Sequence, residues 1–108
     1  GMNCSFGATE LHPYVGVLNG HVDTLLCVYP NAGLPNEMGA YDEAPEITAK
    51  LVRGWAENGW LNVVGGCCGT TPAHIKAIAE AVKDVKPRQW HALPPALRLS
   101  GMEAASFF

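Results

Sequence analysis

The sequence predicts an α/β fold built around a parallel sheet. Two short segments, residues 24–29 and 61–64, are predicted strands, and the first has the β-branched and aromatic residues typical of a strand that is buried on both faces. Each is followed by a loop and then by a segment with helical spacing of apolar residues. Such alternation indicates βα units with parallel strands. Because two strands cannot form a stable parallel sheet alone, a (β/α)8 barrel or a doubly wound sheet must supply the rest.

Three helices accompany these strands. They are expected at residues 9–19, 45–58 and 72–84. Thr9 and Thr71 are predicted N-caps of the first and third helices, and Pro45 suits the first position of the second. The predicted inward-facing residues are Ile47, Leu51, Val52 and Trp55 in the second helix, and Ile75, Ile78, Ala79 and Val82 in the third. Residues 1–7, which begin and end with glycine, are predicted to form a loop.

Composition and sequence pattern argue against a nucleic-acid-binding, membrane-spanning or secreted protein. The net charge is −3 and there is no basic cluster, so nucleic acid is not an expected partner. The apolar segments are too short to span a membrane, and the first residues lack the pattern of a signal peptide. We therefore predict a cytoplasmic protein. In that compartment, its four cysteines are better explained as metal ligands or catalytic groups than as disulfides.

Three of the cysteines are predicted to form a zinc site. Cys4, Cys67 and Cys68 each follow a presumed strand end, and active sites of βα folds are built at the carboxyl ends of strands. Three thiolates suit Zn²⁺ and leave a fourth position open, as in catalytic sites. Adjacent cysteines can reach one metal only through a sharp turn, which the glycines at 65, 66 and 69 permit.

The cysteine pair also has two roles that involve no metal. A Cys-Cys pair taken alone is more often a pair of small buried residues than a metal site. A vicinal disulfide or redox pair is a further alternative, although disulfides are rare in the cytoplasm. Cys27 lies in the middle of a predicted strand and is interpreted as a core residue.

Two motifs resemble those of one family. Residues 65–75, Gly-Gly-Cys-Cys-Gly-Thr-Thr-Pro-Ala-His-Ile, resemble the double-cysteine motif of the homocysteine methyltransferases, and residues 1–4, Gly-Met-Asn-Cys, resemble their upstream Gly-x-Asn-Cys motif. The resemblance implies that Cys4, Cys67 and Cys68 bind zinc. It also implies a partial (β/α)8 TIM barrel: about the last three βα units, entered at the end of the sixth strand.

Two further segments resemble one branch of that family, the cobalamin-dependent methionine synthases. Residues 28–36, Val-Tyr-Pro-Asn-Ala-Gly-Leu-Pro-Asn, are more similar to that branch than to the betaine-dependent enzymes. Residues 97–103 are similar to the segment that joins its homocysteine barrel to its folate-binding barrel. The resemblance implies that residues 1–86 are the C-terminal part of a homocysteine-binding barrel and residues 87–108 a linker toward a folate-binding domain.

The resemblance also implies a mechanism. Homocysteine would occupy the fourth position on zinc, lose its proton and attack the methyl group of methylcobalamin, which methyltetrahydrofolate recharges. Zinc would act as Lewis acid and template. Cobalamin and folate would be bound by other domains of the same parent chain, so we expect the 108-residue chain alone to be inactive. We also expect it to be poorly stable, because its strands lack partners. Asn31 is a candidate fourth ligand or substrate contact; alternatively, it only shapes a turn with Gly33.

Two competing functions remain. One is a stand-alone homocysteine methyltransferase with another methyl donor, against which the similarity of residues 97–103 argues. The second is a non-catalytic chain in which zinc only supports the structure.

Polar residues outside the cysteine set are predicted to have structural roles. His12, His74 and His91 are predicted at the surface, His21 at the opposite end of its strand, and Asp42 and Glu43 as caps of the following helix.

Overall fold

The computed structural model describes residues 1–90 and 92–108, so His91 lies outside the described residues. In chain order the elements are β1 (Met2–Gly7), α1 (Ala8–Asn19), β2 (Cys27–Asn31), α2 (Pro45–Glu57), β3 (Val63–Val64), α3 (Pro72–Val82), β4 (Leu97–Ser100) and β5 (Ala104–Phe107). Strands β1, β2 and β3 form one parallel sheet in that order, and β4 and β5 form an antiparallel hairpin. The predicted α/β fold with a parallel sheet is confirmed, and its completion as a (β/α)8 barrel stays a prediction.

The first strand corrects the prediction that residues 1–7 form a loop. Met2 pairs with Val28 and Asn3 with Tyr29 on β2. The segment alternates between apolar and polar residues from Met2 to Phe6, as strands do, and its pairing with β2 holds it extended.

The central strand β2 lies later in the chain than residues 24–29. Leu25 is 57% exposed, and the strand continues through Pro30 to Asn31. Proline cannot donate to a ladder and is tolerated inside a sheet only where pairing is irregular. The pairing is irregular at this point, because its register passes from Asn3–Tyr29 to Gly7–Asn31 and leaves Pro30 opposite a bulge in β1.

The helices begin near the predicted positions, with corrections at the caps of α1 and α2. Gly7, not Thr9, precedes α1, and its backbone N–H donates to Glu10 Oε1 at 3.2 Å. Thr71 caps α3 as predicted, since its hydroxyl accepts from the backbone N–H of His74. The predicted caps Asp42 and Glu43 are wrong, because the residue before α2 is Ala44 and no side chain caps that helix.

A single apolar cluster joins the three helices to β2. Its buried members are Ala8, Leu11 and Val15 from α1, Leu26 and Val28 from the second strand and its approach, Ala49, Val52, Trp55 and Ala56 from α2, Leu61, and Ile78 from α3. Three residues predicted to face inward are exposed instead: Ile47, Ile75 and Ala79. Ile75 and Ala79 border a groove along β3, and Ile47 lies outside the stripe that Thr48, Val52 and Trp55 form.

Arg88 anchors the segment after α3 to the rest of the fold. Its guanidinium donates to the side chain of Asn19 and to the backbone carbonyls of Asn19, Val22 and Thr24, and the residue is 2% exposed. Its backbone N–H also donates to the carbonyl of Leu61. The boundary predicted between residues 86 and 87 stays a prediction; in the structure, the chain remains packed against the sheet through Arg88.

The hairpin of β4 and β5 follows at residues 97–107 and presents exposed apolar side chains, including Leu97, Leu99 and Phe107. Among residues 1–90 and 92–108, no helix combines the length and apolar character needed to cross a bilayer.

Candidate metal centre

Three cysteine side chains meet at the carboxyl end of the parallel sheet. Cys4 lies in β1, and Cys67 and Cys68 follow β3. Their Sγ atoms all lie within 4.8 Å of one another, and those of Cys4 and Cys68 are 3.6 Å apart. The structure therefore brings together the three residues that were predicted as ligands, from two segments far apart in sequence.

The spacing of the sulfurs fits a tetrahedral zinc site. With a Zn–S distance of about 2.3 Å, tetrahedral geometry places two sulfur ligands roughly 3.8 Å apart, close to the separation of Cys4 and Cys68. All three cysteines are free thiols, with Cys4 and Cys67 half-buried and Cys68 exposed. The cluster is thus open to solvent on the side of Cys68, where a fourth ligand could approach.

The bulge in β1 directs Cys4 toward the other two cysteines. Cys4 and Ser5 have positive φ values of 64° and 68°, although neither is glycine. Such backbone costs about 1–3 kcal/mol per residue and persists only where the surrounding structure enforces it. Because the bulge also interrupts the pairing with β2, it changes the direction in which the Cys4 side chain points.

The turn that carries Cys67 and Cys68 is attached to the end of β2 by three hydrogen bonds. Cys67 N donates to the carbonyl of Pro30 at 2.9 Å, and Ala32 N donates to the carbonyl of Cys68 at 2.9 Å. Cys68 N donates to the side-chain oxygen of Asn31 at 3.0 Å. The two adjacent cysteines are therefore held by the neighbouring strand, as a preformed ligand pair requires.

Glycine is needed at two positions of this turn. Gly69 has φ +79°, and a Cβ added there would overlap Tyr41. A Cβ at Gly66 would overlap the side chain of Thr70. Both positions are consistent with the prediction that glycines permit the sharp turn at the cysteine pair.

Comparison with known protein families adds an independent finding. The family model described as homocysteine S-methyltransferase matches residues 1–82. This chain belongs to the homocysteine S-methyltransferase family. The match includes Cys4, Cys67 and Cys68, so the residues that converge in space lie inside the part of the chain that defines the family. Membership indicates methyl transfer to homocysteine, and the three-cysteine cluster of this homocysteine S-methyltransferase domain is able to hold a metal ion.

The thiols of this methyltransferase domain influence one another. The pKa of Cys4 is lowered, first by the backbone N–H of Ser5 and then by hydrogen bonds from Cys67 and Cys68. The pKa of Cys68 is raised, because its hydrogen bonds to Cys4 and Cys67 and their charge disfavour a second thiolate. One thiolate is therefore favoured at Cys4, whereas three thiolates together require a cation among them.

Asn31 contacts the cysteine turn rather than the solvent. Its side chain is 3% exposed, and its oxygen accepts from Cys68 N. Its backbone carbonyl also accepts from Gly33 N at 2.8 Å, so the turn with Gly33 is present as well. Whether Asn31 serves as a fourth ligand or substrate contact stays a prediction; in the structure, it positions Cys68.

Sequence reasoning missed Tyr41. This half-buried residue packs on Gly69, and its pKa is raised, first by burial and then by the neighbouring Cys68, Cys4 and Cys67. Its ring lies against Gly69, the residue that directly follows Cys68. The only signal in the sequence was weak: an aromatic residue at the end of the loop that follows β2.

The prediction that His74 lies at the surface is wrong. It is 6% exposed, and its ring nitrogens contact Thr71 Oγ1 at 2.8 Å and the carbonyl oxygen of Glu43 at 2.7 Å. Burial results from the loop before α2, which folds over the first turn of α3. The carboxylate of Glu43 accepts from Thr48 Oγ1 at 2.6 Å.

The remaining candidates lie outside the cluster. His12 Nδ1 accepts from the indole N–H of Trp55 at 2.9 Å, and His21 is exposed before β2. Cys27 is half-buried at the first residue of β2, and its sulfur lies next to Gly1 rather than among the other three thiols.

Proposed function

We propose that this chain takes part in zinc-dependent methyl transfer to homocysteine, with Cys4, Cys67 and Cys68 as the metal ligands. One observation carries the proposal: three free thiols lie within 4.8 Å of one another inside the segment matched to the homocysteine S-methyltransferase family. Thiolate sulfur is a preferred ligand of Zn²⁺, and three protein ligands leave the fourth position to a substrate.

The chain's own residues would hold and orient the reacting groups. Bound here, zinc would keep the sulfur of homocysteine ionised at neutral pH and thereby nucleophilic. The bulge of β1 presents Cys4, and the hydrogen bonds from the end of β2 present Cys67 and Cys68. The exposed side of Cys68 leaves a path for homocysteine, and Tyr41 packs on the adjacent Gly69.

The methyl donor is part of the same proposal. We infer methylcobalamin, recharged from methyltetrahydrofolate, with both held by other domains of a longer parent chain. The support is the similarity of residues 28–36 and 97–103 to the cobalamin-dependent methionine synthases. In that arrangement, residues 1–86 contribute the last part of a (β/α)8 barrel in a cytoplasmic enzyme, and residues 87–108 link it to the folate-binding domain.

Zinc content tests the ligand set. Elemental analysis is made on the wild-type chain and on the variants Cys4→Ser, Cys67→Ser, Cys68→Ser and Cys27→Ser. We expect one zinc per chain in the wild type and in the matched control Cys27→Ser, and loss of zinc in the other three. Full zinc content in Cys4→Ser or Cys68→Ser would refute the ligand set.

A binding experiment separates a substrate-activating metal from a structural one. Homocysteine and homoserine, which has a hydroxyl in place of the thiol, are titrated into the zinc-loaded chain in a calorimeter. We expect binding of homocysteine alone, with release of the thiol proton. Equal binding of both compounds, or of neither, would favour a metal that only supports the structure.

A further inference from the structure

His74 is held in one tautomer by its surroundings. Its Nδ1 lies 3.3 Å from the backbone nitrogen of Thr71 and 2.8 Å from the hydroxyl oxygen of the same residue. A backbone N–H can only donate, so Nδ1 accepts and the ring hydrogen is on Nε2. Nε2 then donates to the carbonyl oxygen of Glu43 at 2.7 Å. The ring therefore joins the first turn of α3 to the loop that precedes α2.

The loop segment that His74 holds lies next to the cysteine turn. Within residues 41–44, Tyr41 packs on Gly69 and the carbonyl of Glu43 receives the bond from His74. Gly69 directly follows Cys68, and His74 lies in the helix turn just after it. The segment thus contacts both the residue after Cys68 and the first turn of α3, whereas Asn31 holds the backbone of Cys68 itself.

Capping of α3 uses only one nitrogen of the imidazole, because Nδ1 accepts from the backbone N–H of Thr71 and completes a capping box. The hydroxyl of Thr71 already accepts from the backbone N–H of His74, which any residue at this position would supply. The feature that needs the second ring nitrogen, Nε2, is the bond to Glu43, which crosses from α3 to the loop before α2. We therefore expect this bond to hold residues 41–44 in position.

We propose that His74 is a positioning residue of the thiol site: through the carbonyl of Glu43 it holds residues 41–44 in place, and so keeps the phenol of Tyr41 as a wall beside Cys68. The metal-related part of this inference rests on the proposed function, whereas the shielding of Cys68 does not. Without the bond, residues 41–44 would lose their link to α3, while the Glu43 carboxylate would keep its bond to Thr48, and the wall beside Cys68 would loosen.

A pair of substitutions isolates the bond. In His74→Asn, the amide can accept from Thr71 as Nδ1 does but is too short to reach Glu43. In His74→Gln, the amide nitrogen can take the position of Nε2 and donate to Glu43. His12→Asn is the control, because His12 also has a ring hydrogen bond to a side chain but lies outside the cysteine cluster. Far-UV circular dichroism establishes that each variant is folded.

Two readouts are measured on the 108-residue chain. The first is the rate of Cys68 alkylation by iodoacetamide in the metal-free protein, followed by mass spectrometry, with Cys27 as internal reference. The second is the affinity and visible spectrum of Co²⁺, which reports sulfur coordination. For His74→Asn we expect several-fold faster alkylation of Cys68, an altered Co²⁺ spectrum and affinity reduced by roughly 10–100-fold. His74→Gln and His12→Asn should resemble the wild type.

The outcomes keep the two proposals apart. Wild-type alkylation and Co²⁺ binding in His74→Asn would overturn the inference, and so would equal losses in His74→Asn and His74→Gln. If the wild-type chain binds no Co²⁺ and Cys68 is alkylated faster only in His74→Asn, the zinc site is refuted and the positioning role is supported.

Discussion

The side-chain oxygen of Asn31 lies 3.0 Å from the backbone nitrogen of Cys68 and accepts its hydrogen bond. This contact links the end of β2 to the turn that carries two of the three thiols, and Asn31 is buried where it makes the contact. Asn31, at the end of β2, thereby fixes the direction of Cys68, a candidate ligand that follows β3.

Removing the side chain of Asn31 should weaken metal binding. In Asn31→Ala the turn loses one of its three attachments to β2, and we expect zinc affinity to fall by roughly 10–100-fold, as for other residues that orient ligands. Competition with a chromophoric chelator measures the affinity. Asn31→Asp is the matched control, because it retains an oxygen acceptor and should lose less. Unchanged affinities for zinc and homocysteine in Asn31→Ala would show that Asn31 only shapes its turn.

Gly69→Ala should destabilise the fold. The φ of +79° costs a non-glycine residue on the order of 1–3 kcal/mol, and the new methyl group would in addition overlap Tyr41. Urea denaturation gives the free energy of unfolding. Gly54→Ala provides the control, since Gly54 lies in α2 with open space around its Cα, and alanine there should stabilise by about 0.5–1 kcal/mol. Equal effects of the two substitutions would contradict the description of the turn.

Arg88→Ala should be strongly destabilising. The substitution removes four donated hydrogen bonds from a buried guanidinium and leaves three part-buried backbone carbonyls without this donor, so we expect a loss of roughly 2–4 kcal/mol in the free energy of unfolding. Arg98→Ala, in the exposed hairpin, should change stability by less than about 0.5 kcal/mol. If Arg88→Ala were as stable as the wild type, residues 86–90 would not be an integral part of the domain.

Asp84 gives a prediction for pH dependence. Its pKa is lowered, first by the hydrogen bond from Arg53, with which it forms an exposed ion pair at 3.1 Å. A carboxylate with a lowered folded-state pKa contributes stability above its unfolded pKa, and this contribution is lost as pH falls through the folded value. Asp84→Asn should therefore be slightly less stable than the wild type at neutral pH and equally stable in strong acid. Denaturation at both pH values checks this, and a difference that grows in acid would contradict it.

Local signals in the sequence account for the parts of the structure that were predicted correctly. Pro45 and Thr71 mark the starts of α2 and α3 through preferences that act within one helical turn. The cysteines were recognisable because three thiols in a βα pattern have few roles other than metal binding or redox chemistry. Their convergence also follows from topology, since the carboxyl ends of parallel strands meet at one edge of a sheet.

The features that were missed depend on partners distant in the chain. Arg88 is buried because its acceptors lie in the segment from Asn19 to Thr24, and no local pattern points to them. His74 looks like any exposed residue in the first turn of a helix until the loop at Glu43 folds over it. The positive φ of Cys4 likewise follows from the pairing of β1 with β2 and from its bulge.

X-ray absorption at the zinc edge tests the central claim most directly. The zinc-loaded chain is measured before and after addition of homocysteine, and the number of sulfur ligands is determined in each state. We expect three sulfurs at about 2.3 Å from Cys4, Cys67 and Cys68, and four once homocysteine is bound. A sulfur count that does not change when homocysteine is added, or a chain that folds without retaining zinc, would contradict a thiol-activating site.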